Sequence, residues 1–206
     1  MQLTLKGVNM NSTETKSKWL VGDDTANSFY ACSKCDADEC TCDLTVTAAT
    51  EYAQKGWYVL PLKKQSKEPA RFLRHGYLDA TLDQAKIDEW FADQELNIGL
   101  GISQSSLVVL DFDFRNACKD PKFYELLDRC FRCNTHVVAT HDGYHIYFYV
   151  EKPMQFKGKL ISGIDIKHKG YVVLPPSIHP SGTQYKIVND VAPVDLPEDL
   201  MKLMTW

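Results

Sequence analysis

The pattern of apolar and polar positions from residue 44 to the C-terminus predicts short strands and amphipathic helices in mixed order. Apolar residues recur at helical spacing after Asp83, at Ile87, Trp90 and Phe91, and again after Asp120. Both aspartates stand where an N-cap is expected. Further helices are predicted at residues 47–56 and 197–204. Strands are predicted at residues 57–62, 97–102, 107–114, 136–140, 144–151, 163–170, 171–174 and 184–188.

Two pairs of these strands are close enough in the chain to be expected as neighbours. Strands 97–102 and 107–114 are separated only by a short polar segment, and we expect them to pair. Strands 136–140 and 144–151 flank His141, Asp142 and Gly143, a typical turn sequence, and we expect a hairpin there.

The strand at residues 107–114, LVVLDFDF, ends in two closely spaced carboxylates. Side chains alternate along a strand, so Asp111 and Asp113 point to one face and Phe112 to the other. Two adjacent carboxylates repel each other unless a cation compensates them, and hard oxygen ligands suit Mg²⁺ or Mn²⁺. The alternative is a strand end at which both aspartates reach solvent or cap the next turn.

Two later strands have the same division into a polar and an apolar face. His145, Tyr147 and Tyr149 share one face of the strand at 144–151, and Asp165 and Lys167 share one face of the strand at 163–170. Together with the two aspartates, they predict one site assembled on one sheet. We expect Tyr147 to pack rather than to stack on a base.

Three carboxylates on one sheet suit phosphoryl transfer with two metal ions about 4 Å apart. Asp111, Asp113 and Asp165 would partly neutralise the metals. A nucleoside triphosphate would need further cations, and the candidates are His145, Lys167 and the loop residues Lys67 and Arg74.

Charge and composition indicate the kind of partner and the compartment. The net charge is −4, but residues 63–75 and 152–169 each carry five Lys or Arg against one acid. Two basic segments in an acidic chain can form a local groove for a polyanion. The N-terminus lacks the apolar core of a signal peptide and no run reaches membrane length, so we expect a cytoplasmic protein without a membrane partner.

The first 43 residues are polar and have neither helical nor strand periodicity, so we predict a separate segment before a domain at 44–206. Four of the seven cysteines lie there, spaced C-x2-C-x4-C-x-C, and two interpretations stay open: a structural Zn²⁺ site or a reduced tail. These cysteines are Cys32, Cys35, Cys40 and Cys42. We expect Cys118, Cys130 and Cys133 to be structural, with Cys130 in the core.

The order of several segments resembles a known family. GWYVLPL, KEPARFLRHGYLDATLD, NIGLG, LVVLDFD, THDGYHIYF and GIDIKHKGYVVLPPSIHPSGTQY follow one another as in the bifunctional primase/polymerase (prim-pol) domain of plasmid and phage replication proteins, in the archaeo-eukaryotic primase superfamily. The resemblance extends from about residue 44 to the C-terminus. It implies an α+β fold: an RRM-like antiparallel sheet backed by helices and joined to a small N-terminal α/β unit.

The resemblance also implies roles for individual residues. Asp111 and Asp113 match the first acidic motif, Asp165 the third acidic position, and His145 the second motif, which contacts nucleotide phosphates. Lys67, Lys167 and Ser177 match positions close to the nucleotide or the metal. Three residues depart from the family pattern: Tyr144 and Asp142 stand in a turn that is often rich in glycine, and Lys167 replaces the usual arginine.

The resulting hypothesis is a template-directed nucleotidyltransferase, a DNA primase, a DNA polymerase or both, that serves replication of a plasmid, phage or mobile element. Its expected partners are single-stranded DNA template, primer–template duplex, nucleoside triphosphates and a replicative helicase. Two alternatives are a catalytically silent nucleic-acid-binding module and an initiator nuclease. The nuclease requires a second histidine that the sequence His145-Ile146-Tyr147 lacks.

Overall fold

The computed structural model describes residues 42–92, 95–117, 120–151 and 154–206, and in these ranges the chain is a mixed α+β structure. The described helices are α1 (Cys42–Gln54), α2 (Gln84–Phe91), α3 (Pro121–Phe131) and α4 (Glu198–Met204). The described strands are β1 (Val59–Leu62), β2 (Asn97–Gly101), β3 (Leu107–Asp113), β4 (Val137–Ala139), β5 (Gly143–Tyr149), β6 (Lys159–Ile161), β7 (Ile164–Lys167), β8 (Tyr171–Leu174), β9 (Lys186–Asn189) and β10 (Val194–Asp195).

A small antiparallel sheet has the strand order β1-β2-β8. Its strands are buried almost throughout, which agrees with their continuous apolar sequences. Helix α1 precedes β1 and ends before Gly56, whose φ of +80° suits a residue without a side chain. Strand β8 comes from late in the chain, so the sheet joins distant segments.

The predicted pairing of strands 97–102 and 107–114 is wrong, although both strands exist. Strand β2 pairs with β1 and β8, whereas β3 pairs with β5 and β7 in the other sheet. The intervening residues turn the chain from one sheet to the other: Ser106 has a φ of +55°, and the Ser105 hydroxyl donates to the Gly101 carbonyl at 2.7 Å. Each strand is apolar enough to be buried in a separate sheet.

A seven-stranded sheet carries most of the polar side chains singled out from the sequence. Its order is β6-β7-β3-β5-β4-β9, and β10 pairs in parallel with β5. The predicted hairpin of β4 and β5 is confirmed, with Val138 opposite His145. Strand β3 is central and antiparallel to both of its neighbours.

The large sheet buries its two faces in different clusters. On one face, apolar residues of β3 and β5 pack with the small sheet, α1 and α2. On the opposite face, Leu110, Phe112, Ile146 and Phe148 pack with α3 and α4. The alternation predicted for β3, β5 and β7 is confirmed, because their polar side chains lie on the face that packs with the small sheet, and not on the face that packs with α3 and α4.

The helix signals read from the sequence are also confirmed. The Asp83 carboxylate accepts the Ala85 amide hydrogen at 3.0 Å and begins α2, and the Asp120 carboxylate accepts that of Lys122 at 3.0 Å and begins α3. Cys130 is buried in the core as expected. Cys118 lies outside the described residues.

Two further predictions concern the membrane and a zinc site. None of the helices in the described ranges is long and apolar enough to cross a membrane. The zinc prediction lies outside the described residues, because Cys32, Cys35 and Cys40 are not described, nor is the side chain of Cys42.

Candidate active site

Asp111 lies at the centre of the polar face, between the other two strands that carry polar residues. In the strand register it is directly opposite His145 of β5 on one side and Asp165 of β7 on the other. Directly paired residues of neighbouring strands point to the same face with their Cβ atoms about 5 Å apart. The sheet therefore brings together three side chains that are up to 54 positions apart in the sequence.

Lys167 holds the carboxylates of Asp111 and Asp165 together. Its Nζ lies 2.9 Å from Asp165 Oδ2 and 3.6 Å from Asp111 Oδ2. Partial burial by itself lowers the pKa of Lys167, but the hydrogen bond to Asp165 and the two negative charges outweigh it, so the pKa is raised. Lys167 is therefore a firmly protonated ammonium between two carboxylates.

The Asp113 carboxylate accepts hydrogen bonds from Arg115, a residue that sequence analysis missed. Arg115 donates to it from both Nε (3.2 Å) and Nη2 (3.0 Å), its backbone amide donates at 2.9 Å, and Asn116 Nδ2 donates at 3.0 Å. Arg115 Nε also lies 3.0 Å from Asp142 Oδ2. Partial burial opposes ionisation of Asp113, but the Arg115 and Asn116 hydrogen bonds outweigh it and lower the pKa.

His145 is buried beside Asp111. Its Nε2 lies 3.6 Å from Asp111 Oδ1, and its Nδ1 has no hydrogen-bond partner among the described residues. Burial lowers the pKa of His145, assisted by the positive charges of Lys67 and Lys167 and opposed by Asp111. The charges of one carboxylate and of two cations therefore act on this imidazole.

The other residues predicted for the site, Lys67, Ser177 and Arg74, differ in how they relate to Asp111 and His145. Lys67 is exposed and lies close enough for its charge to act on His145. Ser177 is buried, and its hydroxyl accepts the Ile98 amide hydrogen at 2.7 Å, so it joins the loop after β8 to the small sheet. Arg74 is exposed, and no interaction found in the described part of the chain links it to Asp111.

Tyr185 is a second residue of the site that the sequence did not reveal. It is 3% exposed, and its ring centroid lies 6.2 Å from that of His145. Burial, together with the charge of Asp111, raises the pKa of Tyr185 to about 12. The residue comes 40 positions after His145, and no spacing or periodicity connects the two.

The donor atoms of this face fit a hard divalent cation in their chemistry. Three carboxylates lie on neighbouring strands, and a positive charge already bridges two of them. Their present arrangement differs from that of a metal site: no group of three or more His, Cys, Asp or Glu side chains within the described ranges is arranged to hold an ion. Lys167 and Arg115 are the cationic side chains that contact these carboxylates.

The fold and this face define a mixed α+β protein with a cluster of acidic residues on an antiparallel sheet. Comparison with family models identifies the family. The model for the bifunctional DNA primase/polymerase N-terminal domain matches residues 49–199 of the 206. The chain therefore belongs to this prim-pol family, as the resemblance implied.

Comparison with curated proteins gave no match. Membership implies a primase/polymerase type of replication function with DNA and nucleotides as substrates, and the family typically uses divalent metals.

Proposed function

We propose that this protein is a template-directed nucleotidyltransferase that joins nucleotides on single-stranded DNA or on a primer–template duplex. The observation that carries the proposal is the position of Asp111, directly opposite both Asp165 and His145 on neighbouring strands. This register supports the proposal because it brings two carboxylates and an imidazole together on one face of the sheet. Family membership supports the reaction class.

Asp111, Asp165 and Asp113 are the residues that would hold Mg²⁺ or Mn²⁺. When bound, the metal ions supply Lewis-acid stabilisation of the attacking 3′-hydroxyl and of the leaving pyrophosphate. Lys167, which contacts Asp111 and Asp165, would supply positive charge to the triphosphate.

The other polar groups of the face bind and orient phosphate. His145 Nε2 can donate a hydrogen bond to a phosphate oxygen from its buried position, and Lys167 and Lys67 add positive charge near it. Strands β5 and β7 fix the backbone positions of His145 and Lys167 before the substrate binds. We also propose that the seven-stranded sheet corresponds to the family's RRM-like sheet and that the protein acts in plasmid, phage or mobile-element replication with a helicase.

One observation favours a second candidate, a nucleic-acid-binding module without turnover. Each of the three carboxylates is already in contact with a cationic side chain of this chain: Asp111 and Asp165 with Lys167, and Asp113 with Arg115. A face whose carboxylates are paired in this way can contact a polyanion without metal. The two candidates differ in nucleotide incorporation.

A gel assay with labelled nucleotides tests the proposal. Single-stranded DNA is supplied with or without an annealed primer, in Mg²⁺ or Mn²⁺, to the wild type and to Asp111→Asn and Asp165→Asn. We expect each substitution to lower incorporation by at least about 100-fold, because the charge that stabilises the transition state is lost while the shape is kept. Glu89→Gln, on the exposed face of α2, is the control and should retain wild-type activity.

The unprimed lane distinguishes primer synthesis from primer extension. Wild-type levels of product from both variants would contradict the site assignment. If the folded wild type binds DNA but gives no product with either metal and either substrate, the binding module becomes the better description.

A further inference from the structure

Two cysteines lie close together at the C-terminal end of α3, on the side of the large sheet away from the acidic face. Cys130 belongs to the last turn of the helix, and Cys133 follows the end of the helix, so the spacing is C-x2-C. The Cys133 amide donates to the Cys130 carbonyl at 3.1 Å. Residues three apart in a helical turn have Cα atoms about 5 Å apart, within the range of roughly 4.4–6.8 Å that a disulfide requires. The backbone therefore permits a bond between the two sulfurs.

The two thiols differ in their surroundings. Cys130 is fully buried among apolar side chains, and burial raises the pKa of its thiol far above the ordinary value. Cys133 is only partly buried, and its sulfur contacts the side chain and the carbonyl of Arg129. The reactive form of a cysteine is the thiolate. Cys130 is thus held as a thiol, whereas Cys133 is the sulfur that an external reagent can reach.

Arg129 holds a positive charge against the Cys133 sulfur. Its Nη1 lies 3.0 Å from Cys133 Sγ, and its Nε and Nη2 donate to the two Asp199 carboxylate oxygens at 3.0 Å and 2.9 Å. The hydrogen bond to Asp199 and the charge of the Cys133 sulfur raise the pKa of Arg129. A paired carboxylate on α4 therefore fixes the plane of the guanidinium while its third donor contacts the sulfur.

Two effects of opposite sign act on the charge of this sulfur. A neighbouring guanidinium favours the thiolate. The carbonyl groups at the end of α3 disfavour a negative charge, and the Arg129 carbonyl accepts the Cys133 thiol hydrogen at 3.4 Å. Direct contact with a full positive charge is the stronger of the two effects, because the helix dipole presents only partial charges.

We propose that Cys133 and Cys130 are a redox-active pair that hydroperoxides convert to a disulfide, with Cys133 as the attacking thiolate and Cys130 as the resolving thiol. In the first step, the Cys133 sulfur attacks one peroxide oxygen and the O–O bond breaks, which gives a sulfenic acid and an alkoxide, or hydroxide from hydrogen peroxide. In the second step, the Cys130 sulfur displaces the sulfenic hydroxyl, which leaves as water with the Cys130 proton. Two thiols are oxidised to one disulfide, and one hydroperoxide is reduced to an alcohol and water.

Formation of the bond requires the last turn of α3 to tighten. The Cβ atoms of residues three apart lie about 5–6 Å apart on a helix, whereas a disulfide needs about 3.5–4.5 Å. The movement falls on Cys133, because it lies beyond the helix and is partly exposed while Cys130 is in the core. The disulfide also removes the thiolate charge beside Arg129, which keeps Asp199 as its partner.

Peptide mapping of the full-length protein separates this pair from the other cysteines. The reduced protein is treated with hydrogen peroxide, the remaining thiols are alkylated, and cleavage after glutamate releases residues 126–151, which contain both cysteines and no other. We expect the wild-type peptide to lose two hydrogen atoms. In Cys130→Ser the reaction should stop at a Cys133 sulfenic acid that a 1,3-diketone traps, and in Cys133→Ser the Cys130 thiol should remain reduced.

The rate of Cys133 oxidation measures the contribution of Arg129. We expect Arg129→Gln to lower this rate by about 3- to 10-fold, because the charge beside the sulfur is lost. Asp199→Asn is the matched control, since it breaks the same ion pair between α3 and α4 but keeps the guanidinium, and its rate should equal that of the wild type or exceed it. Thermal melting verifies the fold of each variant.

A reference that needs no variant is the wild type unfolded in urea, in which Arg129 is no longer held beside the sulfur. Native Cys133 should react about three times faster than the unfolded chain, or more. The proposal would be overturned by equal rates in the two states, by oxidation of Cys130 at the wild-type rate in Cys133→Ser, or by equal slowing in Arg129→Gln and Asp199→Asn. None of these measurements involves nucleotide incorporation, so their outcome is independent of the proposed function.

Discussion

At the scale of single residues, Lys167 is the cation that contacts the carboxylates of both Asp111 and Asp165. It is an ammonium on a flexible stem at a position where the prim-pol resemblance places arginine. A guanidinium would bind two carboxylate oxygens in a fixed fork, whereas an ammonium is a point charge that can change partner. Lys167 lies 3.6 Å from Asp111 and 2.9 Å from Asp165, so the one ammonium contacts both carboxylates.

At Gly143, strand β5 passes very close to the backbone of β3. A Cβ built on Gly143 would lie 1.7 Å from the Phe112 carbonyl oxygen, which is far inside van der Waals contact. The residue directly opposite is Asp113, so any side chain here would push β5 away from the acidic end of β3. The glycine is therefore a packing requirement of the site.

We predict that Gly143→Ala lowers the free energy of unfolding by about 3 kcal/mol, the upper end of the range for overpacking, because backbone atoms must move. Chemical denaturation measures the difference. Gly158→Ala is the matched control: nothing lies within 4 Å of its Cβ position, and we expect a change below about 0.5 kcal/mol. Equal stability of the two variants would contradict the close approach seen here.

At the scale of elements, β3 connects the two halves of the molecule because both of its faces are used. Val109 packs with the small sheet, whereas Leu110 and Phe112 pack with the helices behind the large sheet. The alternation that buries these residues also directs Asp111 and Asp113 to the site. Helix α3 supports the strand from behind, with the Phe112 and Phe123 rings 5.5 Å apart.

Helix α3 depends on its N-cap. The Asp120 carboxylate accepts the Lys122 amide hydrogen at 3.0 Å and lies at the positive end of the helix dipole. We predict that Asp120→Ala destabilises the protein by about 1 kcal/mol and that Asp120→Ser costs less than half as much, since serine also caps. Thermal or urea unfolding measures both values, and equal losses for Ala and Ser would argue against capping.

At the scale of the whole molecule, an aromatic cluster packs helix α1 and the segment before β1 against the large sheet. Trp57 stacks on Tyr52 and Tyr147 with centroid distances of 5.5 Å, and His136 meets Trp57 edge to face at 5.1 Å. His136 is buried, and its Nε2 has no hydrogen-bond partner among the described residues. The cluster is therefore best accommodated when His136 is neutral.

Burial lowers the pKa of His136 from 6.5 to about 4, against the attraction of Asp190. The unfolded chain then binds this proton at a higher pH than the folded one, so stability is lost as the pH falls from about 6.5 to about 4. The loss is on the order of 3 kcal/mol. Burial lowers the pKa of His145 as well, which acts in the same direction.

Replacing His136 by Leu removes this titration. We expect the free energy of unfolding of His136→Leu to depend less on pH between 6.5 and 4.5 than that of the wild type, with a difference in slope that denaturant titrations at several pH values can resolve. An identical dependence in both proteins would show that the pKa of His136 is the same in the folded and the unfolded chain.

Much of the fold and of the candidate site could be predicted because the relevant signals are local. Aspartate caps, helical periodicity and strand alternation involve residues at most a few positions apart, and they placed Asp111, His145 and Asp165 on polar faces correctly. Pairing across SQSS was predicted from proximity in sequence alone, and it was wrong because β2 has partners from both earlier and later in the chain. Arg115 was missed although it lies two positions after Asp113.

The sequence by itself determined which residues are buried, which face each strand presents and which family the chain belongs to, because these properties follow from side-chain chemistry and short-range spacing. Only the tertiary structure decided that Lys167 lies between two carboxylates, that the Tyr185 ring lies 6.2 Å from that of His145 and that β2 and β3 belong to different sheets. Those facts depend on contacts between segments far apart in the chain. Their geometry is set by how the two sheets pack, and no local pattern records it.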